Sequence, residues 1–109
     1  MILIDVAEAK STESRAEVTF RNVTEQLCTL YLEKNERYGD SFHKQFIEYG
    51  LLCPVIRLSD KLERVKTLLK KGYDCGDETI EDTLKDLANY AIMTLMEFDR
   101  RCLNEKQQS

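Results

Sequence analysis

Two short blocks carry acids at helical spacing. In 78-ETIEDTLKDLANY-90, Glu78, Asp82, Asp86 and Asn89 follow at intervals of four, four and three. That spacing ranks them along one stripe of a helix. In 57-RLSDKLERVKTLL-69, Asp60 and Glu63 stand three apart and project together, with Ile56 and Thr67 on the same line. Carboxylates arranged this way repel one another unless the stripe is solvated or a divalent cation lies against it. Hard cations such as Mg²⁺ take oxygen ligands, keep several waters and bind substrate phosphates beside protein carboxylates. The chemistry these residues suggest is a Mg²⁺ (or Mn²⁺) site built from Asp60, Glu63, Asp82 and Asp86, with a phosphorylated ligand alongside.

The plain alternative is a wet face. On the last helix the main apolar face is Ile80, Leu84, Leu87, Ala91, Leu95 and Phe98, and the acidic stripe lies roughly opposite it at about 100° per residue. Continuing the stripe from Asn89, however, reaches Met93 and Met96, within 87-LANYAIMTLMEF-98, which is apolar almost all round. Such a helix is buried on more than one side. The acids then sit at the mouth of a packed groove. Asp60 also has a plain role, an ordinary i,i+4 pair with Arg64. Two helices joined by a short loop are antiparallel neighbours, so Asp60 and Glu63 are expected to face Asp82 and Asp86. A third element adds Lys34, in line with the apolar series Phe20, Val23, Leu27 and Leu30. It either snorkels outward or aims a cation into the acidic groove, where Asn35 and Tyr38 can bond or stack on a ligand.

Four helices must position these groups. The first runs from about Ser14 to Tyr38, with Ser14 and Glu17 at capping-box spacing and Gly39 suited to a left-handed stop. The second covers 41-SFHKQFIEY-49, capped by Ser41 and followed by Gly50. The third starts at Pro54, a favoured first-turn residue. Its core stripe is Val55, Leu58, Leu62, Val65 and Leu69, and Gly72 ends it. The fourth, capped by Asp77, runs to about Arg101. With one proline and four glycines, breakers are rare. The expected fold is all-α, a four-helix bundle-like single domain over 1–109, with 1–12 and 104–109 as flexible or contact tails.

Composition narrows the function. A chain of 109 residues with 42% apolar and 33% charged side chains is an ordinary globular balance. A net charge of -4 excludes a general nucleic-acid coat, which needs basic excess. It leaves room for a small phosphorylated ligand, since a bound cation supplies the positive charge. Cys28, Cys53, Cys75 and Cys102 form no CxxC pair and His43 is the single histidine, so a zinc site of usual spacing is not expected. The cysteines read as reduced core thiols of a cytoplasmic protein. No signal peptide or membrane span is visible. The apolar second half of the fourth helix needs more cover than three short helices give, which predicts a homodimer or homotetramer.

The blocks 34-KNERYGDSF-42, 57-RLSDKLERVKTLL-69 and 78-ETIEDTLKDLANYAI-92 resemble the nucleotide modification associated domain 1 family, formerly a domain of unknown function, common in phages and bacteria. The resemblance covers roughly residues 20–100. More distantly, the layout is similar to the all-α NTP pyrophosphohydrolases of the MazG and dimeric dUTPase type, in which ExxE on one helix and ExxD on another bind Mg²⁺. Asp60-x-x-Glu63 stands in the place of ExxE. Asp86 matches the Asp of ExxD, but the residue three before it is Thr83 and the acid is Asp82, a full turn back. The resemblance implies a Mg²⁺-dependent pyrophosphohydrolase acting on a (deoxy)nucleotide, with Asp60, Glu63, Asp82 and Asp86 on the metal and Glu63 or Glu78 orienting or deprotonating the water. It also implies Lys34 on the phosphates and Asn89 on the ligand or a metal-bound water. Two rival classes stay open: a non-catalytic module that binds or sequesters a nucleotide, and a helical assembly protein without a ligand site.

Overall fold

The computed structural model describes residues 13–72 and 79–108, with side chains up to residue 100. Within them the chain is all-helical: α1 Arg15–Tyr38, α2 Ser41–Tyr49, α3 Leu52–Lys70 and α4 Ile80–Gln108. No helix among the described residues is long and apolar enough to cross a membrane. The chain divides into two compact units, Met1–Lys34 and Asn35–Ser109.

Local chemistry sets the helix ends. At α1, the Glu17 backbone N–H donates to Ser14 Oγ over 3.1 Å, so one of the four orphan donors of the first turn is satisfied. Gly39 stops α1 at φ 61°, its N–H donating to the Asn35 carbonyl over 3.0 Å. Asp40 follows at φ 60°, the one non-glycine among the described residues in the left-handed region. Asp can occupy that region because its short polar side chain tolerates it. Asp40, not Ser41, precedes α2, and it makes no side-chain cap. Gly50 ends α2 with its N–H on the Phe46 carbonyl. Helix α3 begins two residues before Pro54, which therefore sits in the first turn where its missing N–H has no helical partner to lose. The cap of α4 is Thr79; the expected cap, Asp77, lies outside the described residues.

In the first unit Leu27 is buried, whereas Phe20 and Val23 on the same expected face are exposed. The second unit is built on α3 packed against α4, with α2 against α3. Arg57 meets Tyr90 and Lys61 meets Asp86. Partners thus fall along α4 as they rise along α3, so the two helices are antiparallel, as expected. Its buried side chains are Phe42 and Phe46 on α2, Cys53, Pro54 and Leu68 on α3, and Thr83, Asn89 and Glu97 on α4.

The inward faces differ from the expected ones. Helix α3 turns Pro54, Arg57, Lys61 and Leu68 inward, while Val55, Leu62 and Leu69 of the expected core stripe are exposed. Helix α4 turns Thr83, Asp86, Tyr90 and Glu97 inward, while Leu84, Leu95 and Phe98 are 49%, 65% and 42% exposed. The physical cause is polar pairing across the helices. Among the described residues no buried side-chain nitrogen or oxygen lacks a partner, which removes the usual cost of burying polar groups. Cys53 is buried as expected, but Cys28 is exposed, so it is not a core thiol.

Candidate functional site

The two acid-bearing helices are neighbours, but their acids are shared out among separate duties. Asp86 is half-buried, facing α3, and accepts an ion pair from Lys61 Nζ at 3.0 Å. Asp60 and Glu63 stand on the adjoining stripe of α3, where Asp60, Lys61, Glu63, Arg64 and Thr67 line one open depression. Glu63 pairs with Lys66 one turn on, at 3.2 Å. Thr67 Oγ1 donates to the Glu63 carbonyl over 3.0 Å.

Asp82 does something else. Its backbone N–H donates to Thr79 Oγ1 over 3.0 Å, and its Oδ2 accepts from the Thr79 N–H over 3.4 Å. This reciprocal exchange is a capping box, and it holds the start of α4. Thr83, at the position where an ExxD pattern carries Glu, is fully buried, and its hydroxyl donates to the Thr79 carbonyl over 2.9 Å.

Among the described residues no three His, Cys, Asp or Glu side chains come together as a group able to hold a metal ion. The expected convergence of Asp60, Glu63, Asp82 and Asp86 is therefore not formed within one chain, because Lys61 occupies the space between α3 and Asp86 and Asp82 is turned to its own cap. Glu78 lies outside the described residues. Lys34 is half-buried in the first unit. In the second unit Asn35 is half-buried, and Tyr38 is exposed with the Arg37 guanidinium 5.9 Å from its ring centre. Asn89 is buried, as its place in the acidic stripe did not suggest.

The cap gives a direct check on the role of Asp82. Thr79→Ala and Asp82→Ala should each cost about 1 kcal/mol, a melting-temperature drop of about 5 °C. The double variant should cost less than the sum, because both remove one motif. Additive effects would separate Asp82 from the cap.

A second cluster was not visible in the sequence. Arg57 of α3 donates to Tyr90 Oη over 3.4 Å and to Gln45 Oε1. Its guanidinium lies 5.6 Å from the Phe42 ring centre and 5.4 Å from that of Tyr90. The two rings stack with centres 5.9 Å apart. The Cys53 thiol donates weakly to Gln45 Oε1 at 3.9 Å. Nearer the end of α4, Glu97 is only 4% exposed. His43 Nδ1 lies 2.8 and 2.9 Å from its two oxygens, and Arg100 Nη1 donates to it over 3.2 Å. These residues come from three helices at unrelated spacings. Only the lone histidine and the inward Glu97 within an apolar segment hinted at them.

Fold and site together define an all-α protein in which Asp60, Lys61, Glu63, Arg64 and Thr67 of α3 line one open depression beside the α3–α4 contact. The chain belongs to the nucleotide modification associated domain 1 family, whose model matches residues 34–98. No curated protein and no solved structure matches the chain significantly.

Proposed function

We propose that the chain binds a (deoxy)nucleotide and serves in nucleotide modification as a binding or sequestering module of the cytoplasm, in the form of a homodimer or homotetramer. The observation that carries this is the α3 depression. Arg64 supplies a cation for a phosphate group there, Thr67 a hydroxyl, and Asp60 and Glu63 acceptors, with Lys61 at the inner edge shared with Asp86. The family's description, nucleotide modification associated, supports a nucleotide as the ligand. Within the second unit, Asn35, Tyr38 and Asn89 are the candidates for contacts to the rest of the nucleotide.

A second reading keeps the protein as a Mg²⁺-dependent nucleoside triphosphate pyrophosphohydrolase. Its support is Asp86, turned from α4 toward the helix that carries Asp60-x-x-Glu63. Among the described residues no three His, Cys, Asp or Glu side chains come together to hold the ion, which weighs against this reading. In this reading Glu63 and Glu78 are the candidate bases.

Thermal melting with a nucleotide panel, with and without Mg²⁺ or Mn²⁺, tests both. A ligand at about a hundred times its Kd adds about 2.7 kcal/mol to the native state, a rise of roughly 10 °C for a chain of this size. A rise without pyrophosphate release supports the module. A rise with metal-dependent release supports the enzyme. No rise with any nucleotide overturns both.

A further inference from the structure

The homo-oligomer reading says only that copies associate; the exposed face of α4 says how. Leu84, Ala88, Ala91, Leu95 and Phe98 recur at intervals of four, three, four and three. That is the spacing of a coiled-coil seam, in which side chains of one helix enter holes on another. The seam does not belong to the α3–α4 contact, since Leu84, Ala91, Leu95 and Phe98 are exposed and Ala88 is half-buried. In helical projection the exposed α3 residues Val55, Leu62 and Leu69 fall on the same side of the helix pair. An apolar surface of this extent, rimmed by charge, marks an interaction site.

We infer that this seam pairs with the same seam of a second copy, the two α4 helices running antiparallel. Three features single out that occupant. First, the seam matches itself when reversed. Ala88 then faces the partner's Phe98 and Ala91 faces the partner's Leu95, so every such layer sets a small side chain against a large one. A parallel pairing sets Phe98 on Phe98 and Ala88 on Ala88, leaving one layer crowded and another empty, which costs packing. Second, the charges beside the seam match under the same operation. Lys85 and Asp99 flank it on one side and come opposite each other twice, across the two-fold axis near Ile92. Among the described residues Lys85 makes a long pair with Glu81 at 3.8 Å, and Asp99 is exposed. Third, antiparallel α4 helices oppose their macrodipoles. An isologous contact of this kind closes at two copies and leaves no seam open for further growth.

The test is sedimentation of the full chain under reducing conditions, without nucleotide, across micromolar concentrations. The wild type should sediment as a dimer, or as a tetramer built from such dimers. Leu95→Glu should give a folded monomer, checked by unchanged helical circular dichroism. Lys85→Glu and Asp99→Lys should each raise the dimer dissociation constant about tenfold, because attraction becomes repulsion at both ends. The double variant Lys85→Glu/Asp99→Lys should recover to within about threefold of wild type, since the swapped charges again face their opposites. A wild-type monomer throughout, with the seam covered by the chain's own N-terminal helix or left bare, overturns the inference and the oligomer expectation together. A dimer that the charge swap fails to restore overturns the antiparallel seam alone. Neither result bears on nucleotide binding, which the melting experiment reads independently.

Discussion

Thr83→Glu should unfold the protein rather than complete a metal site. On paper the substitution restores the Glu-x-x-Asp spacing ahead of Asp86. In the structure the position is fully buried, and its hydroxyl is already satisfied by the Thr79 carbonyl one turn back. A glutamate there adds volume to a filled space, which typically costs about 1–3 kcal/mol. It also buries a carboxylate with no cation assigned to it, at several kcal/mol more. Domains of this size have only about 5–15 kcal/mol in total, so the variant should show a melting point lowered by 20 °C or more, or no cooperative transition. Thr83→Val keeps the shape and should cost about 1 kcal/mol, since only one hydroxyl bond is lost. Circular dichroism melts of the two variants check this. A stable Thr83→Glu protein with a new Mn²⁺-dependent rise in melting temperature would mean that the start of α4 opens toward α3, and the pyrophosphohydrolase reading would gain.

Arg57→Ala is the other large effect. The guanidinium ties α3 to α2 through Gln45 and to α4 through Tyr90, and it lies against both stacked rings. Each cation–π contact is worth about 0.5–1 kcal/mol in a partly exposed setting. Each hydrogen bond is worth about 1 kcal/mol net. The aliphatic stem adds packing that alanine lacks. A loss of about 2–4 kcal/mol follows, or roughly 10–20 °C in melting temperature. Arg57→Lys keeps the charge but not the planar fork, and it cannot reach Gln45 and Tyr90 while stacking. It should recover less than half of the loss. If lysine rescues fully, a charge alone suffices and the aromatic sandwich is incidental. Urea titration is a good second measure, because the slope should stay constant if only stability has changed.

Four helices and the glycines that end three of them were legible in the sequence, because those signals are local. Ser14 before Glu17 and Gly39 after Tyr38 act through bonds within one turn. The antiparallel neighbourhood of α3 and α4 was legible too, from the short connection. The inward faces were not. Periodicity places the apolar stripes Val55–Leu62–Leu69 and Leu84–Leu95–Phe98 in the core, a rule that holds when a chain covers its own apolar faces. Here they are exposed, and Lys61–Asp86, Arg57–Tyr90 and His43–Glu97 fill the interior instead. No periodicity announces such pairs, because each joins residues from different helices. Asp82 shows the same limit on a smaller scale. Its spacing in the acidic stripe and its spacing to Thr79 are both real, and the helix cap uses it first.

An interface of leucines can slip by one turn and still bury leucine against leucine. The α3–α4 contact cannot. Moving it by a turn would strand Lys61 from Asp86 and lift the Arg57 guanidinium off the Tyr90 ring at the same moment. Polar contacts of this kind act like the teeth of a vernier, admitting a single alignment. The height of Asp86 relative to Asp60 and Glu63 is thereby fixed by the helix contact itself, with no slack for a neighbouring turn to take its place.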